Sequence, residues 1–274
     1  MIKLVLSDMD GTLIPFGQQE TSERTRTAIH ALLDAGIRFG PATGREPHEM
    51  PRFFQYDEAC YQTGIYANGK IVKVDGEVVF SKPIDRMAAQ RLLDVLRPLH
   101  NCFMLMYAPD GSEFCLLGAS EEEVDEVLAE TPLDLSGPLL DELPEEPLYT
   151  LDVIYGNALG TQEEAVRRLH AAIPEFDFVT PGPHVLDVLP RGWSKATALD
   201  ILLDHLGIQQ DACAYFGDSD NDVTMLERLD STYVVSNGSP LALGAARWHI
   251  GDAAHDAPAR AMNELAQACG VLPA

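Results

Sequence analysis

The chain has 274 residues, 46% hydrophobic and 23% charged, a composition that excludes a disordered segment and a disulfide-stapled mini-scaffold. Its 19 Lys and Arg against 43 Asp and Glu leave a net charge of −24, so nucleic acid and anionic lipid surfaces are repelled rather than bound. No apolar run approaches the ~20 residues of a membrane span, Ser7 and Asp8 interrupt the first apolar stretch too early for a signal segment, and the five scattered cysteines read as free thiols, so a cytoplasmic location is expected by exclusion.

In chain order, residues 2–6 (Ile-Lys-Leu-Val-Leu) read as an apolar strand, followed at once by the polar turn Ser7 to Thr12. Thr21 and Ser22 cap a helix that carries Ala28, Ile29, Leu32 and Leu33 on one face and stops at Gly36. Ile37 to Ala42 is a second strand, leading into Thr43-Gly44-Arg45, and Pro47 starts a helix. Asp75-Gly76 between two apolar runs marks a β-hairpin. Near the other end, Ala196 to Leu206 reads as a helix stopped by Gly207, Ala212 to Phe216 as a strand running into Gly217-Asp218, Thr232 to Val235 as a strand, and Pro258 to Ala268 as the last helix. Strands alternating with helices predict an α/β fold: a Rossmann-like, doubly wound parallel sheet with polar residues at the strand ends.

The middle differs. Lys82-Pro83 and Gly182-Pro183 are breaker dipeptides, and between Pro98 and Val166 there are 16 Asp and Glu but no Lys or Arg. Strands are expected at Phe103 to Tyr107, Phe114 to Leu117 and Leu148 to Tyr155, and helices at Arg86 to Leu96, Glu121 to Ala129 and Gln162 to Ala172. The reading is therefore a core of residues 1–83 and 184–274 with an α+β module, 84–183, inserted into it. Hinges are expected at Ser81 to Pro83 and Pro181 to Pro183.

Four segments carry chemistry. Asp8-Met9-Asp10-Gly11-Thr12-Leu13 follows the first strand; Asp-x-Asp alone is ordinary loop acid, but here the pair sits directly on a strand end. Thr43-Gly44-Arg45 offers a hydroxyl and backbone N–H groups to an anion, or simply caps a helix. Gly192-Trp193-Ser194-Lys195 places a cation at a helix start, where Ser194 can serve as cap and Lys195 as a solvated charge. Gly217-Asp218-Ser219-Asp220-Asn221-Asp222 offers three carboxylates and an amide, donors suited to a hard cation such as Mg2+ or to a helix N-terminus.

Together, in this order and spacing, the segments resemble the four motifs of the haloacid dehalogenase (HAD) superfamily of phosphatases. Asp8 to Thr12 match the first motif, Thr43 the second, Lys195 the third, and Gly217-Asp218 with Asn221-Asp222 the fourth. Tyr66-Ala67-Asn68-Gly69, the hairpin after it and the long insert resemble the Cof-like branch with its C2B-type cap. The resemblance implies a phosphatase acting on a small phosphoester such as a sugar phosphate. Asp8 would be its nucleophile and Asp10 its acid and base. Thr43 and Lys195 would bind the phosphoryl group, and Mg2+ would sit on Asp8, the Asp10 main-chain carbonyl and Asp218, with Asn221 and Asp222 orienting the ligands. Gly44, Arg45 and Asn68 are further substrate-binding candidates, although Arg45 suits a surface salt bridge equally well and Asn68-Gly69 is also a turn.

A phosphomutase of the phosphomannomutase type is the rival enzyme, but no cationic cluster suited to rebinding a sugar phosphate is evident in the insert. A non-catalytic binding protein on this fold would have lost Asp8, Asp10, Lys195 or Asp218, and all four are present. No partner beyond the substrate is expected, and the chain is read as a monomer or weak homo-oligomer. The acidic stretch predicts a neutral or cationic leaving group, because a second anion on the substrate would lack a cationic partner there.

Overall fold

The computed structural model describes residues 1–107, 114–131, 135 and 137–270, with the backbone alone at 114, 181, 182, 269 and 270. Two compact units are present: Met1–Ser81 with Ser194–Ala274, and Lys82–Trp193.

The first unit begins with β1 (Leu4–Ser7), α1 (Glu23–Asp34), β2 (Arg38–Pro41) and the single turn α2 (Met50–Phe53). A three-stranded antiparallel sheet follows: β3 (Gly64–Tyr66), β4 (Ile71–Val74) and β5 (Glu77–Ser81). Asp75 (φ 49) and Gly76 (φ 89) both turn left-handed between β4 and β5, which is the two-residue hairpin that Asp-Gly predicts. Ser22 caps α1 by accepting a hydrogen bond from the Thr25 N–H.

The second unit comprises α3 (Arg86–Leu96), β6 (Cys102–Tyr107), β7 (Phe114–Leu117), α4 (Glu121–Glu130), β8 (Leu139–Leu140), β9 (Leu151–Tyr155), α5 (Gln162–Ala172), β10 (Phe176–Gly182) and β11 (Val185–Pro190). Its sheet runs β10-β11-β9-β6-β7-β8 and is antiparallel except for β7 with β8. Alternation along β6 splits its side chains between two cores. Met104 and Met106 join Leu92, Leu93 and Leu169 of α3 and α5, while Phe103 and Leu105 join Val124 and Val127 of α4.

The chain then returns to the first unit with α6 (Lys195–Leu206), β12 (Cys213–Gly217), α7 (Val223–Arg228), β13 (Ser231–Val234), α8 (Pro240–Ala245), β14 (Trp248–His249) and α9 (Ala257–Gly270). The main sheet, β14-β13-β12-β1-β2, is parallel throughout. Leu4, Val5 and Leu6 are wholly buried, which is why β1 is a continuous apolar run and not an alternating one. This is the α/β core with an inserted α+β domain expected from the element order.

The downstream boundary differs from the sequence reading. Residues 184–193 belong to the second unit, and the expected hinge at Pro181 to Pro183 lies inside the β10–β11 hairpin. Gly182-Pro183 breaks the chain locally, but here the break is a turn between two paired strands; β11 also pairs with β9 and so stays with the insert. The chain leaves the second unit at Trp193, one residue before Ser194 caps α6. Cys60, Cys102, Cys115 and Cys213 are free and buried, while the side chain of Cys269 lies outside the described residues. No described helix is long and apolar enough to cross a membrane.

Candidate active site

The parallel sheet brings the C-terminal ends of β1 and β12 side by side, with Ser7 opposite Phe216. The turns after these strands therefore start together, one carrying Asp8 and Asp10 and the other Asp218 and Asp222. Such a strand-end crevice is where open α/β sheets place ligands. Gly11 (φ +82) makes the close approach possible: a Cβ there would lie 2.3 Å from the Asp218 carboxylate. Thr12 donates its hydroxyl to Asp218 Oδ1 at 2.9 Å, and Asn237 Nδ2 holds the Gly11 carbonyl at 2.8 Å.

Lys195 enters from the first turn of α6. Its Nζ lies 2.6 Å from Asp8 Oδ1 and 2.7 Å from Asp222 Oδ1, and the residue is only 1% exposed. The segment at Asn68 sets this helix start: Gly69 (φ +92) lies so close that a Cβ would meet the Ser194 carbonyl at 2.6 Å. Asp222 is the most fully engaged carboxylate. It accepts from Lys195 and from the Tyr215 hydroxyl (2.5 Å) on Oδ1, and from the backbone N–H groups of Asp218 (3.0 Å) and Ser219 (3.1 Å) on Oδ2. Asn221 Oδ1 accepts from the Ser219 hydroxyl at 2.7 Å, which fixes this loop rather than touching the carboxylates.

Burial dominates the electrostatics. It lifts the Asp8 carboxyl well above its ordinary range, Lys195 pulls it back down, and Asp222 and Asp218 push it up again. Asp218 is raised to about 7, first by burial and then by Asp222. Burial alone would lower the Lys195 ammonium, but Asp222 and Asp8 outweigh that and raise it. Oxygens of Asp8, Asp218 and Asp222 lie within 4.8 Å of one another, three buried carboxylates with one ammonium, which pairs with Asp8 and Asp222. This donor set fits a hard divalent cation: it is all oxygen, and its surplus negative charge is what such an ion neutralises.

Asp10 is different. Its side chain is 47% exposed and is gripped by Arg45, Nε to Oδ2 at 2.7 Å and Nη2 to Oδ1 at 2.9 Å. Arg45 also binds buried Glu49 at 3.1 Å and lies over the Phe53 ring, 4.4 Å from its centroid. The Thr43 hydroxyl accepts from the Arg45 N–H at 3.1 Å. Backbone bonds from Asn68 to Thr43 and from Ala67 to Arg45 seat the 67–69 turn on this loop, and a Cβ at Gly44 would lie 3.0 Å from Asn68 Nδ2. Thr43, Gly44, Arg45 and Asn68 are thus neighbours, and Asn68 is buried in a left-handed conformation (φ 52).

Sequence reading did not single out Thr12, Tyr215, Glu49 or Asn237. Tyr215 and Asn237 lie within or just beyond apolar runs, and Glu49 looks like an ordinary surface acid. Only Thr12 carried a signal, its place in the first motif.

A family model described as haloacid dehalogenase-like hydrolase matches residues 5–262. The HMP-PP phosphatase of Cronobacter sakazakii is 29% identical over 256 residues, covering 89% of this chain and 87% of that protein. That of Yersinia pseudotuberculosis is 28% identical over 245 residues, covering 88% and 86%. Among solved structures, the phosphatase BT1666 from Bacteroides thetaiotaomicron superposes with a TM-score of 0.80 at 21% identity, covering 99% of this chain and 96% of its own. The HAD subclass IIB sugar phosphatase BT4131 gives 0.79 at 20% identity, covering 96% and 98%.

Proposed function

Because this chain belongs to the haloacid dehalogenase-like hydrolase family, we propose that it is a Mg2+-dependent phosphatase of a small phosphorylated metabolite, working through an aspartyl-phosphate. One observation carries the reading: a wholly buried Lys195 bridges Asp8 and Asp222, with Asp218 beside them, at the ends of parallel strands. A merely structural role would not bury three carboxylates around one ammonium, because desolvating charge is costly.

Asp8, Asp218 and the Asp10 main-chain carbonyl would hold the Mg2+, which when bound neutralises charge on the phosphoester. Asp8 attacks phosphorus through a carboxylate oxygen, and the bond to the leaving oxygen breaks with its electron pair. Asp10 gives that oxygen a proton, then takes one from the water that cleaves the acyl-phosphate. Lys195 orients Asp8 and pulls it toward the ionised form that an attacking carboxylate needs. Thr43 and the backbone at Gly44 receive phosphoryl oxygens, Asp222 fixes Lys195, and Asn221 keeps the Asp218 loop in shape. Arg45, bidentate on Asp10, positions that carboxylate and gives up one of the two bonds when Asp10 carries the proton, and Asn68 lies next to it at Gly44 as a further substrate contact.

The substrate class follows from charge. Between Pro98 and Val166 there are 16 acids and no Lys or Arg. Of the flanking arginines, Arg86, Arg91, Arg97 and Arg168 are bound to Leu143, Glu175, Asp141 and Ala158 of their own unit, while Arg167 is exposed. A neutral or cationic leaving group, such as a sugar or polyol, meets no repulsion from this unit's field. The test is phosphate release from a panel of phosphomonoesters with Mg2+ and with excess EDTA. Release that needs Mg2+ is expected; undiminished release in EDTA would contradict the reading.

A further inference from the structure

Away from the strand ends, His30 on α1 and Asp57 and Cys60 in the turn before β3 bring three different donors together. An imidazole nitrogen, a carboxylate oxygen and a thiol sulfur lie within 4.8 Å of one another. We propose that His30, Asp57 and Cys60 form a second metal site, selective for a borderline-soft divalent ion such as Zn2+.

The donor chemistry makes the choice. Imidazole, thiolate and carboxylate are the set that Zn2+ takes, whereas Mg2+ prefers oxygen alone. Asp57 is the N-cap of the short turn Glu58–Cys60, yet its side chain makes no capping bond; it faces His30, with Oδ2 2.6 Å from Nε2, and accepts from the Cys60 thiol. Left-handed Gln55 (φ 51) and Tyr56 (φ 62) immediately before it aim the loop that way. Ligand atoms on one tetrahedral ion with bonds of ~2.0–2.3 Å stand ~3.3–3.8 Å apart. The His30–Asp57 pair must therefore open by ~1 Å, and both side chains are partly exposed, 47% and 29%, so they have room to do so. Cys60 is wholly buried and supplies the fixed corner.

Binding is balanced as an exchange. The Cys60 thiol gives up its proton to solvent and becomes a thiolate ligand. The His30–Asp57 hydrogen bond, in which Nε2–H donates, is replaced by two bonds to the ion, through the carboxylate and through a neutral imidazole whose proton has moved to Nδ1 and freed Nε2. Thiolate and carboxylate together carry two negative charges, matching the divalent ion, and the exposed side admits a water as fourth ligand. Burial, reinforced by Asp57 and opposed by Arg26, keeps the free thiol protonated, so uptake releases a proton. The bound ion would pin the 55–60 loop to α1.

Cobalt tests the proposal. With excess Mg2+ present, Co2+ added to the full chain is expected to give a thiolate-to-cobalt charge-transfer band and the intense visible bands of a four-coordinate ion. Both should saturate at one equivalent and be displaced by Zn2+. Cys60→Ser should abolish the charge transfer while leaving Mg2+-dependent phosphate release unchanged. His30→Ala, at a partly exposed position, should keep the fold and weaken cobalt affinity by ~10-fold or more. Absence of charge transfer in the wild type would overturn the site. So would a band that survives Cys60→Ser, which would belong to another cysteine, or one whose affinity His30→Ala leaves unmoved.

Discussion

The two units handle charge in opposite ways. In the first, Asp8, Asp218, Asp222, Lys195, Glu49 and Lys70 are buried, whereas among the described residues of the second the buried polar or charged set is Thr150 alone. The second unit fills its interior with Leu, Met, Val and Phe and buries none of its described acids. Buried charge is destabilising unless paired, so this unit is organised around the ion pairs that Lys195 makes with Asp8 and Asp222. The other is organised around packing. Substitutions should therefore separate chemistry from stability according to the unit they strike.

The largest expected effect is on turnover. Asp8→Asn should reduce phosphate release by on the order of 10⁴–10⁶-fold, as removal of a nucleophile does. It should not lower the melting temperature, because burial already disfavours the Asp8 charge. Residual turnover within tenfold of wild type would remove the covalent mechanism.

Lys195→Met is expected to cost ~3–5 kcal/mol in denaturant unfolding of metal-free protein, because it strands Asp8 and Asp222 without their cation. Adding Asp8→Asn to it should recover part of the loss. If the double variant were as unstable as the sum of the singles, the charge argument would fail and packing would explain the effect.

The counterpart in the second unit is Leu93→Ala, a buried side chain in the α3 core. A cavity there should cost ~2–5 kcal/mol, with kcat per folded molecule retained at low temperature. A loss of kcat in fully folded protein would erase the contrast between the units.

Asp218 gives the contrast a pH dependence. Its folded carboxyl titrates at about 7, against 3.8 for the ordinary group. A raised carboxyl contributes stability below the unfolded value and loses it as pH rises through the folded one. Metal-free protein should therefore lose this contribution between about pH 4 and pH 7, and Mg2+, which favours the ionised form, should restore it. The gain in melting temperature on adding Mg2+ should be larger at about pH 8 than at about pH 5, and Asp218→Asn should flatten the difference. Equal gains at both would show that Mg2+ is not held by this carboxylate.

The smallest effect concerns the acidic insert. A hexose 6-phosphate should be preferred over the hexose bisphosphate, and glycerol phosphate over phosphoglycerate, in kcat/KM. A preference of ~10-fold for the more anionic member, about 1.4 kcal/mol of transition-state binding, would reverse the substrate reading.

Much of this was legible in the sequence because its signals are local. A strand end followed by Asp8-Met9-Asp10-Gly11, Asp75-Gly76 in a hairpin, and Ser22 before α1 each depend on a few neighbouring residues. The apolar runs and the alternation of strands with helices were enough for the class of fold. The boundary after the insert was not legible, since Gly182-Pro183 reads the same as a hairpin turn or a domain junction.

What the sequence by itself determined is which chemical groups stand at the strand ends, because strand, turn and cap are set by short-range sterics and hydrogen bonding. What only the tertiary structure decided is which of those groups meet. Lys195 reaches Asp8 across 187 positions, Arg45 turns to Asp10 and Glu49, Tyr215 joins Asp222, and His30 meets Asp57 and Cys60. Such pairings rest on the order of strands in a sheet and the packing of helices on it. They are long-range properties of the burial of apolar surface, and a residue's neighbours in the chain carry no record of them.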